Sequence, residues 1–205
     1  MNISNPPPAH WFHREDETND RNFYATPRFV AHIDPETIDA LRDYYKIFLA
    51  GAQDVLDLMS SWISHYPAEP TFQRVSGLGM NAEELAHNPQ LTDWQTHDLN
   101  VNPALPYDEN TYDRVTIAVS IQYLTHPVEV LTDVSRVLRP GGQICIALSH
   151  RLFPTKAIAA FKTLAPQDRI RLVMFYLSQS GFEDIACTDC SPPGYDPLWI
   201  VTGTA

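Results

Sequence analysis

Hydrophobic positions along the chain repeat with two periods, one helical and one extended. Ile38, Leu41, Tyr45, Phe48 and Leu49 recur at helical spacing behind Asp34, a good N-cap, and Pro35, which suits a first helical position. Together they predict a helix over 35–49, ended by Gly51. A short apolar run at 54–58 reads as the first strand. Pro67 and Pro70 then leave space for little more than a helical turn at 60–66. Further strands are expected at 71–78, 91–98, 114–120 and 143–149, with two terminal strands at 184–188 and 198–202. Between them lie helices at 81–88, with Asn81 as N-cap and Glu84 three residues on, and at 127–138, with Val130, Leu131, Val134, Val137 and Leu138 facing inward. Arg139-Pro140-Gly141-Gly142 stops the latter. Residues 155–164 and 166–180 are also expected to be helical. Such alternation implies an α/β fold: a three-layer, doubly wound, mostly parallel seven-stranded sheet with helices on both faces. Ligands of such sheets sit at the carboxyl ends of the strands, at a topological switch point. That rule selects 57–62, 79–81, 97–99, 120–123 and 149–151.

Composition narrows the partners. The chain has 205 residues, 44% of them hydrophobic and 19% charged, as expected for one globular domain. Fourteen Lys and Arg stand against 25 Asp and Glu, which argues against a nucleic-acid backbone or an anionic membrane surface as partner. Three cysteines fit a reducing compartment, and Cys187 and Cys190 form a lone C-x-x-C with no second pair or nearby histidine to complete a metal site. No metal is expected. Neither a membrane-length apolar run nor a signal-peptide core is seen, so a cytoplasmic protein is expected. The first 22 residues, with Pro6-Pro7-Pro8 and an acidic run from Glu15 to Asp20, read as a flexible arm ahead of a single domain over 23–205.

Three motifs in fixed order carry more. Leu105-Pro106-Tyr107-Asp108, Tyr112-Asp113-Arg114-Val115 and Arg136-Val137-Leu138-Arg139-Pro140-Gly141-Gly142 make residues 55–151 resemble a class I S-adenosylmethionine-dependent methyltransferase of the small type 11 group, within a branch that has Asp57-Leu58-Met59-Ser60-Ser61-Trp62 where the glycine-rich motif stands. The resemblance implies a Rossmann-like methyltransferase fold, S-adenosylmethionine as cofactor, and methyl transfer to a small molecule. It places Asp57 toward the ammonium of the cofactor's methionine part, and Asp98 and Leu99 on the adenine. Met59 and Ser61 occupy the glycine places, where neither gives the positive φ and close approach of glycine cheaply. Ser60 and Ser61 offer hydroxyls instead, with Met59 and Trp62 on an apolar side. The acid that normally takes the ribose hydroxyls is replaced by Gly79, leaving Asn81 as a neutral substitute. Ser120, after the fourth strand, completes the expected cofactor set. For the reacting side the candidates are His65, Tyr123, His150 and Arg151, joined by Tyr24, Arg28 and His32 if the N-terminal segment folds over the site; a surface or structural role is the competing account of each. The two motif changes also suit a second reading, a catalytically silent member of the fold that binds a ligand or protein partner. A nicotinamide-dependent oxidoreductase is disfavoured by the absence of G-x-G-x-x-G.

Overall fold

A computed structural model describes residues 6–69 and 71–205. Its elements run in chain order α1 (Asp20–Tyr24), α2 (Pro35–Phe48), β1 (Asp54–Ser60), β2 (Arg74–Gly79), α3 (Ala82–Ala86), β3 (Asp93–Thr96), β4 (Tyr112–Ala118), α4 (Pro127–Val137), β5 (Leu138–Leu148), α5 (Ala159–Thr163), α6 (Pro166–Gln179), β6 (Glu183–Asp189) and β7 (Trp199–Thr204). The strands form one sheet in the order β3-β2-β1-β4-β5-β7-β6. Strand β7 runs antiparallel to both of its neighbours, and the others follow the parallel pattern. The chain winds outward from β1 through β2 to β3, then returns to β4 on the other side. The switch point therefore lies between β1 and β4.

Side-chain alternation divides the core between two faces. Leu56, Leu58, Val115 and Ile117 pack with Val130 and Leu131 of α4 and Leu172 and Tyr176 of α6. Val55, Val75, Cys145 and Ala147 pack with Leu41 and Tyr45 of α2. Helix α2 starts as the sequence requires: Asp34 accepts a hydrogen bond from the Thr37 N–H at 2.8 Å, with Pro35 at the first position.

Four expectations need correcting. The connection from β1 to β2 contains no helix among its described residues. Instead Tyr66 packs edge-on against Tyr45 and Phe72, with centroids 5.4 and 6.0 Å away, so an irregular segment fills the space a crossover helix takes. The expected helix at 155–164 shrinks to α5. The turn at 139–142 lies within β5 as an outward bulge: Tyr112 pairs with Leu138 and Arg114 with Gln143, and Gly141 takes φ 77°. From that bulge Arg139 reaches Asp54 at 2.8 Å and Asp113 at 2.6 Å, tying the amino ends of β1 and β4 together, opposite the switch point. Finally, no break appears at residue 22. Residues 1–5 lie outside the described residues, but from Trp11 onward the arm is seated on the domain. Trp11 and Phe12 pack against the core. Lys156, wholly buried, pairs with Asp16 and Asp20 at 3.0 and 3.1 Å, and Arg14 gives Asp20 two hydrogen bonds of 2.8 Å. The acidic run that reads as disordered finds its counter-ion about 140 residues away, a pairing that local pattern cannot show.

Candidate active site

A cavity opens at the carboxyl ends of β1, β2 and β4, where the doubly wound topology places it. Asp57, Met59, Ser60 and Ser61 from β1 and its extension line it. So do Asn81, Asp98, Leu99, Ser120, His65 and Tyr123. Three expected residues, Trp62, His150 and Arg151, do not. Trp62 stands outside, its indole N–H donating to the Val30 carbonyl at 3.1 Å and its ring edge-on to Phe29. Arg151 is half exposed and committed to Asp196, with Nε 2.9 and 3.0 Å from the two carboxylate oxygens. His150, at 3.1 Å, shares that carboxylate.

The altered loop is built from β1 running on for two residues past 58. Met59 is bulged out of the pairing with β2, so that Leu58 pairs with Leu78 and Ser60 with Gly79. Met59 takes φ 60°, the conformation glycine adopts freely. The bulge also explains the missing acid at 79. A Cβ on Gly79 would lie 2.2 Å from the Ser60 carbonyl oxygen, inside any tolerable contact, so no residue with a side chain fits there. Two departures from the family pattern are thus one structural change. Strain gathers here: of the non-glycine residues with positive φ among the described residues, Met59, His65 and Val119 all line the cavity.

The serines turn inward. Ser60 and Ser64 both donate to one oxygen of Asp57, at 2.5 and 2.6 Å, and Ser61 donates to Glu84 at 2.6 Å. Burial raises the Asp57 carboxyl to about 6 against the lowering effect of those two hydroxyls and of Thr116. Asn81 is equally committed. Its Oδ1 caps α3 by accepting from the N–H groups of Glu83 and Glu84, and its Nδ2 donates to the Tyr24 carbonyl at 2.8 Å. Asp98 differs. One oxygen accepts the Asn100 N–H at 3.1 Å, while Oδ2 is buried with no hydrogen-bond partner. Ser120 Oγ and His65 Nδ1 are buried and unpartnered as well. Burial, reinforced by His32 and Arg42, lowers the His65 imidazole to about 4, so it is neutral.

The N-terminal segment forms the outer wall. Tyr24, Arg28 and His32 line the cavity, with Phe153 facing them. Segment 20–33 is held by Asp20 to Asn100 (2.8 Å), by Asn81 at Tyr24, by the Arg28 N–H to Glu84 (2.7 Å) and by Trp62 at Val30. Phe153, Glu84 and Asn100 are site residues that sequence pattern does not mark. Phe153 lies just past the 149–151 stretch selected by the strand-end rule, and the other two act through contacts 56 and 80 residues apart.

Comparison with known proteins agrees with this fold. Residues 65–146 match a methyltransferase domain family model. The ubiquinone/menaquinone biosynthesis C-methyltransferase UbiE of Roseobacter denitrificans is 45% identical over 65 residues, which is 32% of this chain and 24% of that protein. The demethylmenaquinone methyltransferase of Bacillus mycoides is 28% identical over 120 residues, 57% of this chain and 46% of that one. The matched segments therefore span about a quarter to a half of these relatives' length. Among solved structures, an S-adenosylmethionine-dependent methyltransferase from Archaeoglobus fulgidus has a TM-score of 0.63 at 14% identity over 84% of this chain and 95% of that one. The [4+2]-cyclase SpnF has a TM-score of 0.59 at 16% identity over 81% and 80%. With that family match over 65–146 and this sheet order, the chain has the Rossmann-like fold of these methyltransferases.

Proposed function

We propose that the cavity binds S-adenosylmethionine and that the protein transfers its methyl group to a small-molecule acceptor. Asp98 carries this reading. A buried carboxylate oxygen without a donor is costly, and an exocyclic amine, as on adenine, supplies that donor beside the apolar Leu99. The other end fits differently. Asp57 already bears two hydroxyls on one oxygen, so an ammonium would meet the carboxyl's remaining acceptor capacity. Ribose hydroxyls would meet Ser120 Oγ instead of a charged acid.

When bound, the cofactor supplies an electrophilic methyl carbon on a sulfonium. The chain's own residues then hold the acceptor in line and keep water out, and proximity of this kind supplies much of the rate. His65, at about 4, lies some three units below neutral pH. Proton transfer to it costs about 4 kcal/mol, so it serves better as a neutral wall than as a general base. Tyr123 accepts the Phe153 N–H at 2.8 Å and stacks on that ring, which fixes an aromatic face in the cavity wall for an acceptor to lie against. The relatives named above are quinone methyltransferases, and a planar ring suits this face. The acidic chain, in which no helix among the described residues is long and apolar enough to cross a membrane, is proposed to act in the cytoplasm on such a molecule and not on nucleic acid.

A silent binding protein is the second reading, favoured by Met59 in a glycine's place and by serines spent on protein carboxylates. Calorimetric titration with S-adenosylmethionine, S-adenosylhomocysteine and NAD separates the two. Binding of the first two and not of NAD is expected; no heat from either at millimolar concentration leaves only the second reading.

A further inference from the structure

Arg28 is the one Lys or Arg among the described residues that line the cavity. Its backbone N–H is fixed by Glu84, and its guanidinium sits 4.2 Å from the Phe23 ring centroid and 5.7 Å from that of Phe153. Within the fork, Nη1 donates to the Thr26 carbonyl at 3.2 Å. No Asp or Glu of the described residues lies within 4.0 Å of it. None of the four carboxylates that share the cavity wall pairs with the guanidinium: Asp20 bonds Arg14, Lys156 and Asn100, Asp57 takes Ser60 and Ser64, Glu84 takes Ser61 and the Arg28 backbone N–H, and Asp98 takes the Asn100 N–H on one oxygen. Arg151, by contrast, is neutralised by Asp196. A half-buried guanidinium held between aromatic rings, with most of its donors free and aimed along a cavity wall, is set up for a planar anion.

We propose that Arg28 is the carboxylate clamp of this site. The reasoning starts from the loop at 59–61. A glycine-rich turn offers unhindered N–H groups to an anion, but here β1 continues through Ser60, Met59 bulges, and the hydroxyls of Ser60, Ser61 and Ser64 serve the protein's own carboxylates. The anion-binding duty passes to the N-terminal segment, which brings the charge across the mouth of the cavity. The carboxylate is either that of the cofactor's methionine part or one borne by the acceptor, and both present the same two oxygens to the fork. The cofactor arm rests on the methyltransferase reading above; the acceptor arm does not.

The test compares the full-length protein with Arg28→Gln and Arg28→Lys. Glutamine keeps the stem that packs on Phe23 without the charge, and lysine keeps the charge without the fork. Thermal unfolding of each variant confirms that the segment is still seated. Three probes are titrated: S-adenosylhomocysteine, 5′-methylthioadenosine (which lacks the amino-acid carboxylate) and benzoate. A loss of about 10- to 100-fold for S-adenosylhomocysteine in R28Q, partial in R28K, with 5′-methylthioadenosine unchanged, assigns the clamp to the cofactor. Unchanged S-adenosylhomocysteine with loss of benzoate binding assigns it to the acceptor. Equal affinities of wild type and R28Q for both carboxylates, or wild type binding neither, overturns the clamp. Failure of 5′-methylthioadenosine to bind wild type removes the methyltransferase reading, and benzoate then decides the clamp by itself.

Discussion

Asp57 illustrates what a single buried carboxyl does to this fold. Burial holds it at about 6 against an ordinary 3.8, so between pH 4 and 6 the folded chain keeps a proton that the unfolded chain has lost. Stability tied to this group is complete below pH 4 and falls as pH rises through 6, by about 3 kcal/mol for a shift of roughly two units. Asp57→Asn keeps an acceptor for Ser60 and Ser64 and cannot ionise. Urea unfolding of the two proteins should show the variant gaining on wild type as pH goes from 4 to 7.5; parallel curves would mean that Asp57 does not titrate as burial requires. Gly79 makes the neighbouring case. Gly79→Ala puts a methyl 2.2 Å from the Ser60 carbonyl, on backbone that cannot yield, and should destabilise by about 1–3 kcal/mol or more. A midpoint within error of wild type would show that the bulge at Met59 relaxes freely. The loss of the ribose acid was legible as a letter in the sequence. Its cause was not, because the clash depends on a one-residue bulge in another strand.

Segment 14–33 begins on one buried lysine. Lys156 is fully buried against Asp16 and Asp20 and also donates to the carbonyls of Asp16 and Thr18. Replacing it with methionine fills a similar volume but strands Asp20, 6% exposed, with Arg14 and Asn100 alone. Removing one charged partner while Arg14 stays costs about 1.5–3 kcal/mol. The loss should fall on the segment first, since what remains to hold it is a set of hydrogen bonds at Thr155, Asn100, Asn81, Glu84 and Trp62. Limited proteolysis of Lys156→Met should cut within 14–33 while the sheet survives; an uncut segment would place its anchor elsewhere. The same element shows which elements sequence pattern reaches. Helix α2 was readable because its cap, its proline and its apolar face are local. The irregular path from β1 to β2 and the seated arm were not, because aromatic packing on Tyr45 and ion pairs to Lys156 outweigh local propensity.

At the scale of the whole molecule, the sheet order fixes where a ligand goes, and the carboxyl ends of β1, β2 and β4 carry a price in stability for it: three positive-φ side chains and buried polar atoms without partners. A site with strained residues and unpartnered polar atoms should stabilise on binding a ligand that pairs with them. Binding S-adenosylhomocysteine at a hundredfold excess over Kd adds about 2.7 kcal/mol, which for a chain of this size is a rise of roughly 5–10 °C in Tm. Asp98→Ala separates site from scaffold. It deletes an oxygen that makes no hydrogen bond, together with one that accepts a single N–H, so the unliganded variant should melt within a few degrees of wild type while the ligand-induced rise disappears. Trp62 adds an optical check, because it stands outside the cavity and touches the N-terminal segment at Phe29 and Val30. A fluorescence change on binding therefore reports movement of that segment, and it should persist in Arg28→Gln at saturating 5′-methylthioadenosine. An Asp98→Ala protein that keeps the full thermal shift would place the adenine somewhere other than the end of β3, and the cavity at the switch point would then need a different ligand.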